Sequence, residues 1–463
     1  MADILLTHGY FLWDDPKERE IMKPYPPLGL LYLSAYLKRD GFDVEVFDTT
    51  FSSRPEMTAR LAATPGGVVG IYTNLMTRTN AIWVAEEAHR YGWTVVLGGP
   101  ESANYPDDYL ERGADVVVVG EGEATTAELI TVLRDKGKHR LHGVAGTVFR
   151  DEEGRVVHNA GRDKIADIDS IPWPDREAID IPAYVDVWRT HHGMGSVNLI
   201  TARGCPYKCN WCSHAVFGFS HRRRDPFDCA AEVEHIVERY GPEQVWYADD
   251  VFTISHKWLF EYEAEMRRRG LKIPFETITR ADRMKKEEVA KALADLGCYR
   301  IWIGSESGSQ RILDAMQRGV KVEEVQLATK LAKQNGIEVG MFLMWGYDGE
   351  EYDDIAQTVE HVKIADPDVF FTTVAYPIKN TGFFEKVKHK IVLNGDWNQV
   401  SDRDHTILGR HSRRYYKYAD EWLYNAVEAH RLRASDPLGA EAKGAVAETA
   451  RLGLLAIADE VEV

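Results

Sequence analysis

Residues 203–214 read RGCPYKCNWCSH and place Cys205, Cys209 and Cys212 in one short loop of a chain with only five cysteines in 463 residues. Thiolates this close together are soft metal ligands. A structural zinc takes four ligands, usually as two separated pairs. His214 could complete a Cys3His set, whereas Cys229 and Cys298 stand singly in predicted helices and read as small buried hydrophobes. A Cys-x3-Cys-x2-Cys spacing on a loop that leaves a strand suits a cubane iron–sulfur cluster better, with one iron left without a protein ligand. An iron with an open position binds a small molecule, and a closed zinc does not. The spacing favours the cluster and leaves zinc as its rival.

A loop of this kind needs a frame. From about residue 195 strands and helices alternate: SVNLITARG leads into the cysteines, and QVWYADDVFT, YRIWIGSESGS, EVGMFLMWGYDGE and DVFFTTVAYP follow as further strands and their exits. This β/α series over 195–385 predicts a partial (β/α)6 barrel, whose polar groups collect at the carboxyl ends of the strands, where such folds build active sites. Residues 1–140 form an earlier series. ADILLTH, FDVEVFD, GGVVGIYT, WTVVLGG and ADVVVVGEG are apolar strands separated by helical patterns such as LGLLYLSAYLKRDG. Strands this apolar belong to a parallel sheet covered on both faces, so an α/β, Rossmann-like doubly wound domain is expected there. Residues 141–194 read as a linker with a hairpin turning at Glu153–Gly154, and 386–463 as a helical region.

Composition narrows the classes. With 44% hydrophobic and 28% charged residues the chain has material for real cores, and its length predicts more than one domain. A formal charge of -17 opposes binding to nucleic-acid phosphates. No run of about eighteen apolar residues exists, so no transmembrane helix is expected. The N-terminus lacks a basic n-region and a small-residue cleavage site, and the cysteines form no disulfide framework, so a cytoplasmic location is expected.

The motif TARGCPYKCNWC resembles the cluster loop of the radical SAM superfamily. WYADDVFT, TITRADRM, CYRIWIGSESGSQRILDAM and GMFLMWGYDGEEYDD resemble, in order, later strands of the same catalytic domain. The resemblance implies a [4Fe–4S] cluster on Cys205, Cys209 and Cys212. Its open iron would bind the amino and carboxylate groups of S-adenosylmethionine (SAM), which one-electron reduction cleaves to a 5′-deoxyadenosyl radical. It further implies that Tyr207 and Trp211 in the loop, Asp249 and Asp250, Arg280 with Asp282, Glu306 and Gly346 stand around SAM. Asp348 departs from the family's usual Gly-x-Pro-Gly-Glu loop by replacing its proline.

Residues 1–140 resemble the cobalamin-binding domain that precedes this barrel in a large subgroup, through PPLGLLYLSAYLKRDGFDVEVFD and LGGPESANYPDDYLERGADVVVVGEGE. Three adjacent strand ends make the expected crevice: Thr73, Asn74 and Leu75; Gly98, Gly99 and Pro100; and Gly120, Glu121 and Gly122. Glycines there let a macrocycle or its nucleotide tail approach the backbone. Relatives that ligate cobalt through histidine carry Asp-x-His-x-x-Gly after the first strand. This chain has THGYFLW instead, so His8 is expected to be structural.

The resemblance thus implies a radical SAM enzyme with a [4Fe–4S] cluster, SAM and cobalamin. C-methylation of a small molecule, lipid or tetrapyrrole is the favoured reaction, with an external one-electron donor such as flavodoxin or ferredoxin. A non-methylating reaction, as in the anaerobic magnesium-protoporphyrin monomethyl ester cyclase, is the alternative, and a non-catalytic cobalamin or SAM sensor is the rival from another class. A methylthiotransferase is disfavoured, because the first domain has no cysteine for a second cluster.

Overall fold

A computed structural model describes residues 2–136 and 140–463. The chain forms two compact units: Met1–Pro206, Ser213–Trp246 and Gly395–Ser401 make the first, and Tyr207–Cys212, Tyr247–Asn394 and Asp402–Val463 the second.

The first unit begins with five parallel strands, β1 (Ile4–His8), β2 (Val44–Phe47), β3 (Gly67–Tyr72), β4 (Trp93–Gly98) and β5 (Val116–Val118). Their order is β2-β1-β3-β4-β5. Every residue of β1 and of β5 is buried, which is why these runs are continuously apolar rather than alternating. The helices between them bury one stripe each; Leu28–Arg39, for example, buries Leu30, Leu31 and Leu37. Helix Arg54–Ala63 starts at a capping box in which Ser53 and Glu56 satisfy each other's backbone N–H groups. The strand order reverses direction between β1 and β3, and such a switch point opens a crevice beyond the carboxyl ends of the strands.

The hairpin expected to turn at Glu153–Gly154 is formed by β6 (Thr147–Arg150) and β7 (Val156–His158). Asp151 closes its turn by accepting from the Glu153 and Arg155 backbone N–H groups. β6 pairs antiparallel with β5, so the hairpin extends the first sheet to seven strands. Burial of Val148 and Phe149 anchors it there. The unit continues through β8 (Ser196–Leu199) and the short antiparallel pair β9 (Ala202–Arg203) and β10 (Arg222–Arg223) to helix Pro226–Tyr240 and β11 (Gln244–Tyr247), whose last residue belongs to the second unit.

In the second unit β12 (Phe275–Thr279), β13 (Cys298–Glu306), β14 (Glu338–Trp345) and β15 (Val369–Val374) pair in parallel in chain order. Helices Glu287–Leu296, Val322–Gln334 and Tyr352–Ala365 connect them. Counting β8 and β11, the series has the six strands of the expected partial (β/α)6 barrel. Cys298 is buried but opens β13 rather than sitting in a helix, because Gly297 ends the preceding helix in the left-handed conformation. The C-terminal region is helical over Arg413–Leu432 and Pro437–Ala456. Before these helices, Ile391–Val392 and Thr406–Ile407 pair antiparallel where helix was expected; β-branched residues flanking a stretch rich in Asn, Asp and Gly favour that outcome. Among the described residues no helix is long and apolar enough to cross a membrane.

Candidate active site

The cysteine loop takes part in both units. In the first, Arg203 and Ser213 flank it. Arg203 is buried and donates to the Glu121 and Glu123 carboxylates, which follow β5. Arg222 donates to the other Glu121 oxygen at 2.7 Å, and the Ile165 N–H adds a third donor at 2.9 Å. Burial raises the Glu121 carboxyl, but these donors more than offset it and hold the group below its usual range. Ser213 accepts from Asn104 Nδ2, beyond β4, at 3.3 Å. Loops leaving β4 and β5 therefore grip both flanks of the segment that carries Cys205, which is half-buried. A charged residue next to a glycine is the only trace of Arg203 in the sequence, and its buried partners were not legible.

The same unit gathers the expected crevice residues. Thr73 N–H donates to Gly98 O at 2.7 Å, and its hydroxyl accepts from Ser102 N–H at 3.0 Å. Gly99 has φ +112°, and a Cβ there would lie 2.3 Å from Thr73 O, so the approach of the two strand ends requires glycine. Pro100 opens helix Pro100–Asn104, and Asn74 accepts from Met76 N–H. Leu75 lies in the same turn. At Gly98, Gly120 and Gly122 an added Cβ would be in ordinary contact with Val118, Val216 and Thr126 at 3.8–3.9 Å, and all three glycines are half-buried. Half-exposed glycine backbone beside polar strand ends fits the approach of a macrocycle and its nucleotide tail. His8 lies at the end of β1 with both ring nitrogens engaged: Nε2 bonds Asp48 at 2.8 Å, and Nδ1 accepts from Tyr10 N–H at 3.1 Å. Burial would raise Asp48, yet His8 and Tyr184 hold it down at about 2. The expectation of a structural His8 agrees with this network.

The second unit holds the rest of the loop. Asn210 is its anchor: its N–H donates to Met316 O, its carbonyl accepts from Phe383 N–H, and its side-chain oxygen accepts from Tyr347 Oη at 2.9 Å. Trp211 packs on the cluster of Ile312, Met316, Met344 and Phe383. Cys212 N–H donates to Cys209 O at 3.2 Å. Tyr207 lies under the Arg280 guanidinium, 3.6 Å from its ring centre, and its hydroxyl donates to Asp282.

Cys209 is buried, with Arg280 Nη1 at 3.7 Å and Arg318 Nη1 at 3.8 Å from its sulfur. Glu306 ends β13 at a bulge with φ 62°, a left-handed conformation that a non-glycine residue rarely holds. Burial pushes its carboxyl up to about 8 against the pull of Arg280. Tyr207, Cys209, Arg280 and Glu306 thus form one group, which Arg318, unforeseen in the sequence, completes. Asp249 is buried and Asp250 exposed, just past β11. Gly346, with φ +68°, begins the next strand-end loop, where Asp348 pairs with Lys386 at 3.0 Å and with Lys390 at 3.4 Å in place of the family's proline. A cysteine sulfur already faced by two guanidinium groups fits a ligand of an anionic iron–sulfur cluster.

The radical SAM superfamily model matches residues 199–362, and the B12 binding domain model matches residues 19–130. The chain thus carries a B12-binding domain followed by a radical SAM domain. Its cofactors are a [4Fe–4S] cluster, SAM and cobalamin. The enzyme is 29% identical to an uncharacterized methyltransferase of Pyrococcus horikoshii, over 83% of this chain and 84% of that one. It is 25% identical to the anaerobic magnesium-protoporphyrin IX monomethyl ester cyclase of Rubrivivax gelatinosus, over 80% and 68% of the two chains. Its fold is similar to that of the solved cobalamin-dependent S-adenosylmethionine radical enzyme OxsB with aqua-cobalamin bound, with a TM-score of 0.75 at 18% identity, covering 98% of this chain and 71% of that one.

Proposed function

We propose that the enzyme methylates an unactivated carbon of a small-molecule, lipid or tetrapyrrole substrate, drawing electrons from an external one-electron donor such as flavodoxin or ferredoxin. The observation that carries this reading is the shared anchoring in the first unit, where the β4 and β5 loops of the cobalamin-binding domain hold both flanks of the cysteine loop through Asn104–Ser213 and Glu121–Arg203. When bound, the cluster and SAM supply radical initiation and cobalamin supplies a methyl carrier.

The chain's own residues bind and orient. Cys205, Cys209 and Cys212 hold the cluster, and Asn210 fixes their loop. Tyr207, Trp211, Asp249, Asp250, Arg280, Glu306 and Gly346 shape the SAM site. Near neutral pH Glu306 retains its proton, so it offers a hydrogen-bond donor as well as an acceptor. Thr73–Leu75, Gly98–Pro100 and Gly120–Gly122 line the cobalamin crevice; Glu121 contributes backbone, because its carboxylate is committed to Arg203 and Arg222.

The test uses SAM labelled in its methyl group with the reconstituted enzyme, a reductant and candidate substrates. Label recovered on a product carbon, together with 5′-deoxyadenosine, is the expected result. An unlabelled, oxidised or cyclised product would favour the second reading, a non-methylating radical reaction, which the similarity to the cyclase supports.

A further inference from the structure

Two buried arginines converge on one sulfur. Arg280 follows β12. Its Nε donates to Asp282 Oδ1 at 2.9 Å, its Nη2 donates to Arg318 O at 2.8 Å, and its plane lies on Tyr207. The remaining Nη1 faces Cys209 Sγ. Arg318 follows Gln317, whose φ of 54° turns the chain back toward the barrel strands. Its N–H donates to Leu313 O at 3.0 Å and its Nη2 to Gly304 O at 2.8 Å, and its Nη1 also faces Cys209 Sγ. A Cβ at Gly304 would lie 2.5 Å from Glu306 Oε1 and 3.0 Å from Arg318 Nη2, so glycine leaves room for both side chains.

The arrangement is electrostatically lopsided. Asp282 balances Arg280. The acid described beside Arg318 is Glu306, which lies 3.8 Å from its Nε, beyond hydrogen-bond distance, so this guanidinium is balanced less closely than Arg280 is by Asp282. Two desolvated guanidinium groups beside a neutral thiol are costly, and beside an anionic sulfur they are favourable. Hydrogen bonds to cluster sulfurs and nearby charge are the protein's levers on cluster potential, because the added electron is a negative charge that adjacent cations stabilise.

We propose that Arg280 and Arg318 form a cationic clasp on Cys209 that raises the reduction potential of the cluster held there, easing delivery of the electron. Both are positioning residues acting through the sulfur, and the proposal rests on the assignment of the cluster to the three cysteines. The clasp works before any substrate arrives, so its effect is readable in the SAM-free enzyme.

Two measurements on the full-length reconstituted protein test it. In the first, redox titration followed by electron paramagnetic resonance compares wild type with Arg318→Gln and Arg318→Lys at matched iron and sulfide content. Arg318→Gln is expected to lower the reduced-to-oxidised ratio at a fixed potential about tenfold, equivalent to about 59 mV for one electron, with Arg318→Lys falling less. A wild-type potential in Arg318→Gln overturns the clasp. In the second, wild-type protein grown on [15N]arginine is expected to show guanidinium nitrogen couplings on the reduced cluster. Their absence overturns the proposal even if a variant fails to fold. Wild-type protein that takes up no iron overturns the cluster assignment itself, an outcome distinct from a bound cluster with unshifted potential.

Discussion

Glu350 sits in the loop after β14 with its side chain buried, accepting the Gly346 N–H. Burial is the largest influence on it and pushes its carboxyl from the ordinary 4.5 up to about 8, with the Gly346 bond opposing. The folded protein therefore holds this proton more tightly than the unfolded chain does. Between these two values the unfolded chain releases the proton and the folded one keeps it, so stability falls as pH rises through the window and levels off above it. Glu350→Gln, which cannot ionise, should gain on wild type progressively across that range. Urea unfolding of both proteins at pH 5, 7 and 9 measures the difference, and a constant gap would contradict the assignment. Nothing in the string WGYDGEE distinguishes Glu350, which is buried, from Glu351, which is exposed. The distinction arises because the loop turns at Gly346 and Gly349, both at positive φ, and folds one acid inward.

At the scale of elements, the junction of β3 and β4 is the most constrained part of the crevice. Gly99→Ala would drive a Cβ into Thr73 O and place alanine at φ +112°. The expected result is a loss of about 1–3 kcal/mol together with several-fold weaker cobalamin retention. Gly161→Ala is the control, with nothing within 4 Å of its added carbon and no positive φ. Equilibrium dialysis against cobalamin reads the effect, and equal retention by both variants would remove Gly99 from the crevice.

Much of this level was legible beforehand. Buried parallel strands announce themselves as apolar runs such as ILLTH and VVVV, and the glycines at their ends mark close approach. The attachment of the hairpin to β5 was not legible, because strand partners depend on edges left open by the rest of the sheet. Nor was the bulge at Glu306, which shows only as a register shift against β14. The cysteines could be read because metal ligation depends on residue type and spacing along the chain. Arg318 could not, since it reaches Cys209 across more than a hundred residues of sequence.

Across the whole molecule, charge is managed in buried networks as well as on the surface. Glu232 in the first unit is fully buried and bonded to both Arg176 and Arg224, with Tyr32 adding a hydroxyl to Arg224. Burial alone would raise Glu232, and the two arginines hold it below its usual range. Glu232→Ala removes the carboxylate that two interior guanidinium groups share, although Arg224 keeps Asp228, and a loss of about 3–5 kcal/mol is expected in denaturant unfolding. Glu232→Gln should cost less, since it keeps hydrogen-bond acceptance; equal losses would show that charge is not what the network supplies.

Trp397 carries the remaining consequence. It belongs to Gly395–Ser401, a short stretch of the first unit that the chain reaches only after most of the second has been made. There its ring packs on Tyr105 and Tyr109 and lies under Arg78 and Arg112, while Val400 O accepts from Arg78. On the ribosome the cobalamin-binding domain therefore emerges with an aromatic socket still empty. Synthesis runs at about 5–20 residues per second, so the socket waits many seconds for its plug. The unit that holds this socket is therefore completed only once residues 395–401 have been synthesised, well after its own strands.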